Sequence, residues 1–309
     1  MTKKDNFEMS SHSYADSNEL VDEHMIDEHI IEAIGKCRIV VRDGKIVEVG
    51  EGMIQDCPLA KRFAVPVEEI RPDAVAKNIE MRIAAFGMCT PDRDLYSDDA
   101  FVGFGATEII SSSLGTEKES LVDAAVIACD GAGTVVVTDP RMVQGIGGRM
   151  SGLVKTVPYA SVIERIIAGG GYVLDPDTAR MNAAEGAFLA QKIGFTRPAV
   201  TVVSMDDVAE IKKICPDAVI IGVHSTGLSH TETEALAAEV DLMTACASRI
   251  VREICGPKAI MQAGTGIPVF ALTKKGKEML VRRLLDISRP LVVTGANLPV
   301  QDGGPRPLI

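Results

Sequence analysis

The stretch DAAVIACDGAGTVVVTDPRMVQGIGGRMSGLV, Asp123 to Val154, sets the fold of the chain around it. An apolar run, Ala124 to Ala128, ends at Cys129-Asp130-Gly131, and a second run, Thr134 to Val137, ends at Thr138-Asp139-Pro140. Short continuous apolar runs bounded by turn residues indicate strands buried on both faces. A glycine-rich segment follows, Gly145-Ile146-Gly147-Gly148-Arg149-Met150-Ser151-Gly152. Glycines admit close backbone approach and expose main-chain N–H groups, and Arg149 and Ser151 add a planar charged fork and a hydroxyl. Gly145, Gly147, Gly148, Arg149 and Ser151, with Gly131 and Gly133 at the first strand tip, therefore form a candidate cradle for a phosphate or carboxylate. Met150 stands where the dinucleotide fingerprint needs its third glycine, and no Lys-Ser/Thr pair follows as in a P-loop. The competing reading is a tight connector whose glycines serve turn geometry. A binding role predicts that Arg149→Ala removes ligand binding without unfolding the chain.

Beyond this stretch, apolar runs and amphipathic segments alternate. Strands are predicted at 199–203, 218–223, 242–245, 259–262, 269–272 and 291–293. Helices are predicted at 159–168, 178–193, 206–214, 231–238, 248–254 and 275–285. The fold class expected is α/β, a mostly parallel doubly wound sheet covered on both faces. A small α+β module precedes it. In RIVVRDGKIVEV, Arg38 to Val49, two apolar-rich runs flank Asp43-Gly44, the signature of a hairpin turn with positive φ. Val75, Ile79, Ile83 and Phe86 recur at helical spacing before Gly87. The segment EHMIDEHII around His24 and His29 is compatible with a helix. Three regions result: an acidic disordered tail over 1–24, the hairpin-plus-helix module over 25–100, and the α/β domain over 101–309.

Ligands of open parallel sheets bind beyond the carboxyl ends of the strands. The predicted tips carry Cys129, Asp130 and Gly131; Ser204 and Asp206; His224, Ser225 and Thr226; Cys246 and Ser248; and Gln262, Gly264 and Thr265. Cys129, Asp130 and His224 are the candidate catalytic residues, with His224 as general acid–base and Asp130 as its partner. A Ser225-His224-Asp206 triad lacks the GxSxG elbow. The serines and threonines also suit helix caps. Cys37, Cys57 and Cys89 fall in the small module, where three thiolates could ligate an iron–sulfur cluster, although no CxxC pair is present. As core or reactive thiols they need no metal.

The 309 residues carry a formal charge of -11, a hydrophobic content of 46%, aromatics at 4% and no Trp. An acidic chain poor in aromatics is unsuited to nucleic acid or anionic membrane. No apolar run approaches the roughly 18 residues of a membrane span, and the polar N-terminus has no signal-peptide core. Seven scattered cysteines fit a reducing cytoplasm.

Long segments of the chain resemble the archaeal methanogenesis marker protein 8 family. They are KCRIVVRDGKIVEVGE from Lys36, CPLAKRF from Cys57, FGMCTPDRD from Phe86, CDGAGTVVV from Cys129, QGIGGRMSGLV from Gln144, VHSTG from Val223, TACASR from Thr244 and IMQAGTGIPVFALT from Ile260. The resemblance implies a place in methanogenesis, in coenzyme synthesis or in maturation of methyl-coenzyme M reductase. It carries over no catalytic residues. Two expectations follow: a cytoplasmic enzyme binding a small anionic coenzyme precursor over the strand tips, or a non-catalytic accessory protein whose thiols carry a metal or iron–sulfur cluster or whose surface docks onto a methanogenesis complex.

Overall fold

A computed structural model describes residues 26–63, 65–114 and 120–309. The tail over 1–24, His24 included, lies outside the described residues. Two sheets organise the rest. The smaller has four strands. It is built on β1 (Glu28–Glu32), β2 (Arg38–Arg42) and β3 (Lys45–Val49), and α1 (Pro72–Phe86) packs against it. The β2–β3 hairpin turns at Asp43 (φ 47°) and Gly44 (φ 67°), as the Asp-Gly pair requires. Pro72 opens α1, and Gly87 closes it in the left-handed conformation. His29 lies on strand β1, not on a helix. Burial alternates along β1, with His29 and Ile31 inward, so a period of two wins over the local helical bias.

The chain then enters α2 (Ala106–Ser113), β4 (Ala124–Cys129), β5 (Gly133–Val137) and α3 (Pro140–Gly147). β6 (Gly152–Lys155) was not foreseen. It returns to the smaller sheet and pairs antiparallel with β1, giving the order β3-β2-β1-β6. A strand from beyond residue 100 thus completes the sheet that begins at residue 28 and ties the two sheets together.

The remaining elements are α4 (Ala160–Ala168), β7 (Tyr172–Val173), α5 (Ala183–Ile193), β8 (Pro198–Val202), α6 (Met205–Ile214), β9 (Val219–Gly222), α7 (His230–Glu239), β10 (Leu242–Thr244), α8 (Arg249–Cys255), β11 (Met261–Ala263), β12 (Val269–Ala271) and α9 (Lys274–Leu285). The larger sheet runs β11-β12-β10-β9-β8-β4-β5-β7. Its centre, β10-β9-β8-β4, is parallel. The flanks β4-β5, β5-β7, β10-β12 and β12-β11 are antiparallel. The fold is α/β, and the sheet is mixed instead of mostly parallel. The four parallel strands are added in one direction along the sheet, so no reversal of strand order divides them.

Alternate residues of each strand feed two cores. Ala125, Ile127, Ala199 and Ile221 face α2, α3, α4 and α9, whereas Val126, Val200, Ile220 and Met243 face α5, α6, α7 and α8. Helices therefore cover both faces of the sheet. The expected final strand at 291–293 has no pairing partner among the described residues. No backbone N–H from Ser288 to Pro299 donates a hydrogen bond to a described residue, and Val292 and Val293 are 91% and 78% exposed. Amide exchange in this segment is expected to approach unstructured rates, with β4 and β8 protected; slow exchange across 291–297 would show pairing in solution. Among the described residues no helix is long and apolar enough to cross a membrane.

Candidate functional site

A cavity of about 1240 Å³ lies between the two sheets, over the carboxyl ends of the parallel strands. Its wall takes Ile127 and Ala128 from β4, Val202 and Val203 from β8, Val223, His224 and Thr226 from β9, and Thr244 and Cys246 from β10. Glu32, Lys36, Gly152 and Leu153 of the smaller sheet face these tips. The cavity thus lies where the strand-tip rule expects a ligand, because the parallel centre of the mixed sheet remains.

Three non-glycine wall residues hold unusual backbones, Lys36 (φ 61°) among them. His224 has φ 53° and Cys246 has φ 44°, both in the left-handed region that disfavours side chains. They follow adjacent strands, β9 and β10. Non-glycine residues held in this region concentrate at sites where position matters more than strain. The surrounding loops fix them. Ser225 Oγ donates to the Thr244 carbonyl at 2.6 Å, and the Ala247 N–H donates to Thr226 Oγ1 at 3.0 Å. The buried guanidinium of Arg252 donates to the carbonyls of Ser248 at 2.7 Å and Cys246 at 2.9 Å. Ser225 is spent on this lacing, which leaves it unsuited as a triad nucleophile.

The His224 ring is exposed to the cavity yet walled in by protein. Desolvation pushes its pKa down, with Glu32 opposing and Lys36 reinforcing the shift. The ring is accordingly neutral near pH 7 and able to accept a proton. Gly152 lies against the ring, the position of a Cβ there being 3.5 Å from His224 Nδ1. Cys246 is partly exposed, whereas the other six cysteines are buried. Thr244 Oγ1 lies 3.7 Å from its sulfur.

Cys129 and Asp130 are not brought to this cavity. The connection from β4 to β5 is three residues long, so the tip that carries them is a hairpin turn. Asp130 is buried and accepts from Arg93 Nε at 2.9 and 3.0 Å and from the Cys89 N–H at 2.7 Å. Cys129 is buried, and burial followed by the Asp130 charge pushes its thiol pKa far up. Asp130, the expected partner of His224, is therefore engaged by Arg93 and the Cys89 N–H, and Cys129 is buried away from the cavity.

The glycine cluster also differs from a cradle. Gly145 and Gly147 lie in the last turn of α3 and Gly148 caps it, so this end presents carbonyls, the negative pole of the helix. Arg93 Nη2 donates to the Gly145 and Ile146 carbonyls at 3.0 Å each. Gly131 and Gly133 take φ 84° and 71° in the hairpin turn, and a Cβ on Gly133 would meet the Ala179 carbonyl oxygen at 2.2 Å. Arg149 pairs with Asp94 at 2.7 Å and lies over Phe86, off the cavity wall. Ser151 does reach the wall, as do Gly147 and Gly148.

Cys37, Cys57 and Cys89 are buried in the core beneath the smaller sheet, and burial raises all three thiol pKa values. Among the described residues no group of three or more His, Cys, Asp or Glu is placed to hold a metal ion.

The chain is similar to an uncharacterized protein of Methanocaldococcus jannaschii, 41% identical over 288 residues, which cover 92% of this chain and 100% of the relative. No solved structure matches it. The family model described as uncharacterized protein conserved in archaea, DUF2099, matches residues 29–285. With that span and that identity, the chain belongs to the archaeal DUF2099 family.

Proposed function

We propose that this protein is an enzyme that takes a small anionic ligand into the cavity between its sheets, with His224 as proton acceptor and Cys246 as the thiol at the reacting end. The observation that carries the reading is the pair of left-handed, non-glycine residues on neighbouring strand tips, both facing one cavity. A neutral histidine and a partly exposed thiol on one cavity wall are groups suited to proton transfer and nucleophilic attack. Arg62 on the same wall carries positive charge, and Lys36 there pairs with Glu32 at 3.6 Å. The resemblance to methanogenesis marker protein 8 directs the ligand search to acids and phosphorylated acids of coenzyme synthesis.

Native alkylation tests the reading without knowledge of the substrate. Iodoacetamide is expected to place one label per chain, on Cys246, with the buried cysteines reacting only after denaturation. Cys246→Ser should remove the native label, and His224→Gln should slow labelling at pH 7 while the fold is retained. Native labels scattered over several cysteines, or none on Cys246, would overturn the assignment.

A further inference from the structure

The cavity wall includes the start of α2. Gly105, just before the helix, and Ala106, Thr107 and Glu108 of its first turn all line it. First-turn N–H groups have no partner within a helix. Asn182 and Ser229 cap the starts of α5 and α7, whereas Gly105 has no side chain to cap α2. The Ala106, Thr107 and Glu108 N–H groups accordingly donate to no described residue; the first bond of the helix runs from the Ile109 N–H to the Gly105 carbonyl at 2.9 Å. Glu108 turns back instead and accepts from the Val102 and Gly105 N–H groups at 2.8 and 3.0 Å, with Arg283 Nη2 at 3.8 Å. The positive pole of α2 therefore already holds a carboxylate.

Gln144 belongs to the neighbouring helix, since α3 packs on α2. Thr107 fills the space over Gly147, one turn on from Gln144, where a Cβ would meet Thr107 Cγ2 at 2.4 Å. Gly148 leaves room for Gln144 itself, a Cβ there being 2.5 Å from its Nε2. Gln144 lines the cavity and is 5% exposed. Its Nε2 donates to the Asp99 carbonyl at 2.8 Å, which fixes the amide, because the flipped form would set two acceptors together. Oε1 is then left buried with no hydrogen-bond partner among the described residues. Buried acceptors without a donor are costly and few in native proteins.

The two features have opposite needs. The α2 N–H groups call for an acceptor, and Gln144 Oε1 calls for a donor. A carboxylate supplies acceptors alone and would meet both the Glu108 carboxylate and the Gln144 lone pairs. A carboxamide offers C=O and N–H side by side in one neutral group. We propose that the first turn of α2 and Gln144 form a subsite for a carboxamide of the ligand, whose C=O accepts from the α2 N–H groups and whose N–H donates to Gln144 Oε1. The inference rests on the cavity reading above and adds a second group to its ligand, an acid that also bears an amide.

N-methylacetamide is the probe. Methyl acetate has the same shape without the donor, and acetate carries charge in its place. Each is titrated into the full chain to about 100 mM, with backbone amide resonances of Ala106, Thr107 and Glu108 and the side-chain amide of Gln144 as readouts. N-methylacetamide is expected to shift all four, with a dissociation constant on the order of millimolar. Methyl acetate and acetate should bind about tenfold more weakly, because they leave Oε1 unanswered. Gln144→Met should bring N-methylacetamide down to the methyl acetate level. Ala106→Pro removes one first-turn N–H where proline is tolerated, and Gly105 at ψ 152° already suits a following proline. That variant should weaken amide and ester together. Equal binding of amide and ester to the wild type, no response at Ala106 to Glu108, or a Gln144→Met protein that still prefers the amide would overturn the subsite. The two readings fail separately. Selective alkylation of Cys246 without an amide response keeps the reacting centre and removes the subsite. An amide preference lost in Gln144→Met, beside unselective alkylation, keeps the subsite and removes the thiol.

Discussion

Replacing Arg93 by methionine is expected to lower the unfolding free energy by about 3–5 kcal/mol. Arg93 and Asp130 are both buried, with side chains 0% exposed. The guanidinium meets the carboxylate through Nε, the Gly145 and Ile146 carbonyls through Nη2, the Asp94 carbonyl through Nη1, and the Phe86 ring at 5.1 Å. One side chain thereby joins the loop after α1, the β4–β5 turn and the carboxyl end of α3. Methionine fills the space but leaves Asp130 buried and uncompensated, which is the expensive half of a broken pair. The double variant Arg93→Met with Asp130→Asn should recover part of the loss, since it removes the stranded charge. Arg149→Ala supplies the contrast. Its partner Asp94 is 52% exposed, so that pair should contribute no more than about 1 kcal/mol. Urea unfolding of the three variants beside the wild type decides the matter. A loss below about 1 kcal/mol for Arg93→Met would mean that water reaches Asp130 in solution.

The same pair explains why part of the site was unreadable from sequence. Asp130 at a strand tip looked free because its partner lies 37 residues earlier, in a loop that shows no periodicity. The turn itself was legible. Only Asp130, Gly131 and Ala132 separate β4 from β5, and a parallel crossover needs a dozen residues or more, so that connection had to be a hairpin. The glycine cluster was legible in the same way. Asp139-Pro140 is a cap followed by a first-turn proline, which starts a helix and places the glycines at its carboxyl end. β6 offered less. It is four residues long, with Val154 51% exposed, too short and too mixed to show alternation. The Asp43-Gly44 hairpin, α1 and the central parallel strands were read correctly because each carries its own period or turn chemistry. The strand-tip rule put His224 and Cys246 among the tip residues without any motif, and both line the cavity. It could not rank them, because a left-handed backbone and a cavity are properties of the folded chain.

Acidification from pH 7 to pH 5 is expected to destabilise the protein through two histidines, and one of them can be isolated. His29 is fully buried in a directed chain of hydrogen bonds. The Gly131 N–H donates to Thr156 Oγ1 at 2.8 Å, and Thr156 lies 2.9 Å from His29 Nδ1. His29 Nε2 lies 2.8 Å from the Tyr159 hydroxyl, which donates to Asp27 at 2.6 Å. Since Tyr159 gives its proton to Asp27, it accepts from Nε2–H, and Nδ1 accepts from Thr156. With His29 neutral, every partner in the chain is satisfied. Desolvation accordingly lowers its pKa, against the opposing charges of Asp130 and Asp27, and Lys155 lowers it further. The sign follows from linkage. Below about pH 6.5 the unfolded chain takes a proton that the folded chain refuses, so stability is full above that pH and falls as pH drops toward the depressed folded value. His224 is depressed as well and adds to the slope. Each histidine contributes at most about 1.4 kcal/mol per pH unit. His29→Gln should cost stability at pH 8 through its broken hydrogen bonds, yet show a shallower loss between pH 6.5 and pH 5. Tyr159→Phe should destabilise at both pH values, because it strands His29 Nε2 and leaves Asp27 without its donor. Stability curves for wild type and His29→Gln that stay parallel from pH 8 to pH 5 would show that His29 is protonated freely in the folded chain, and the directed network would then be wrong.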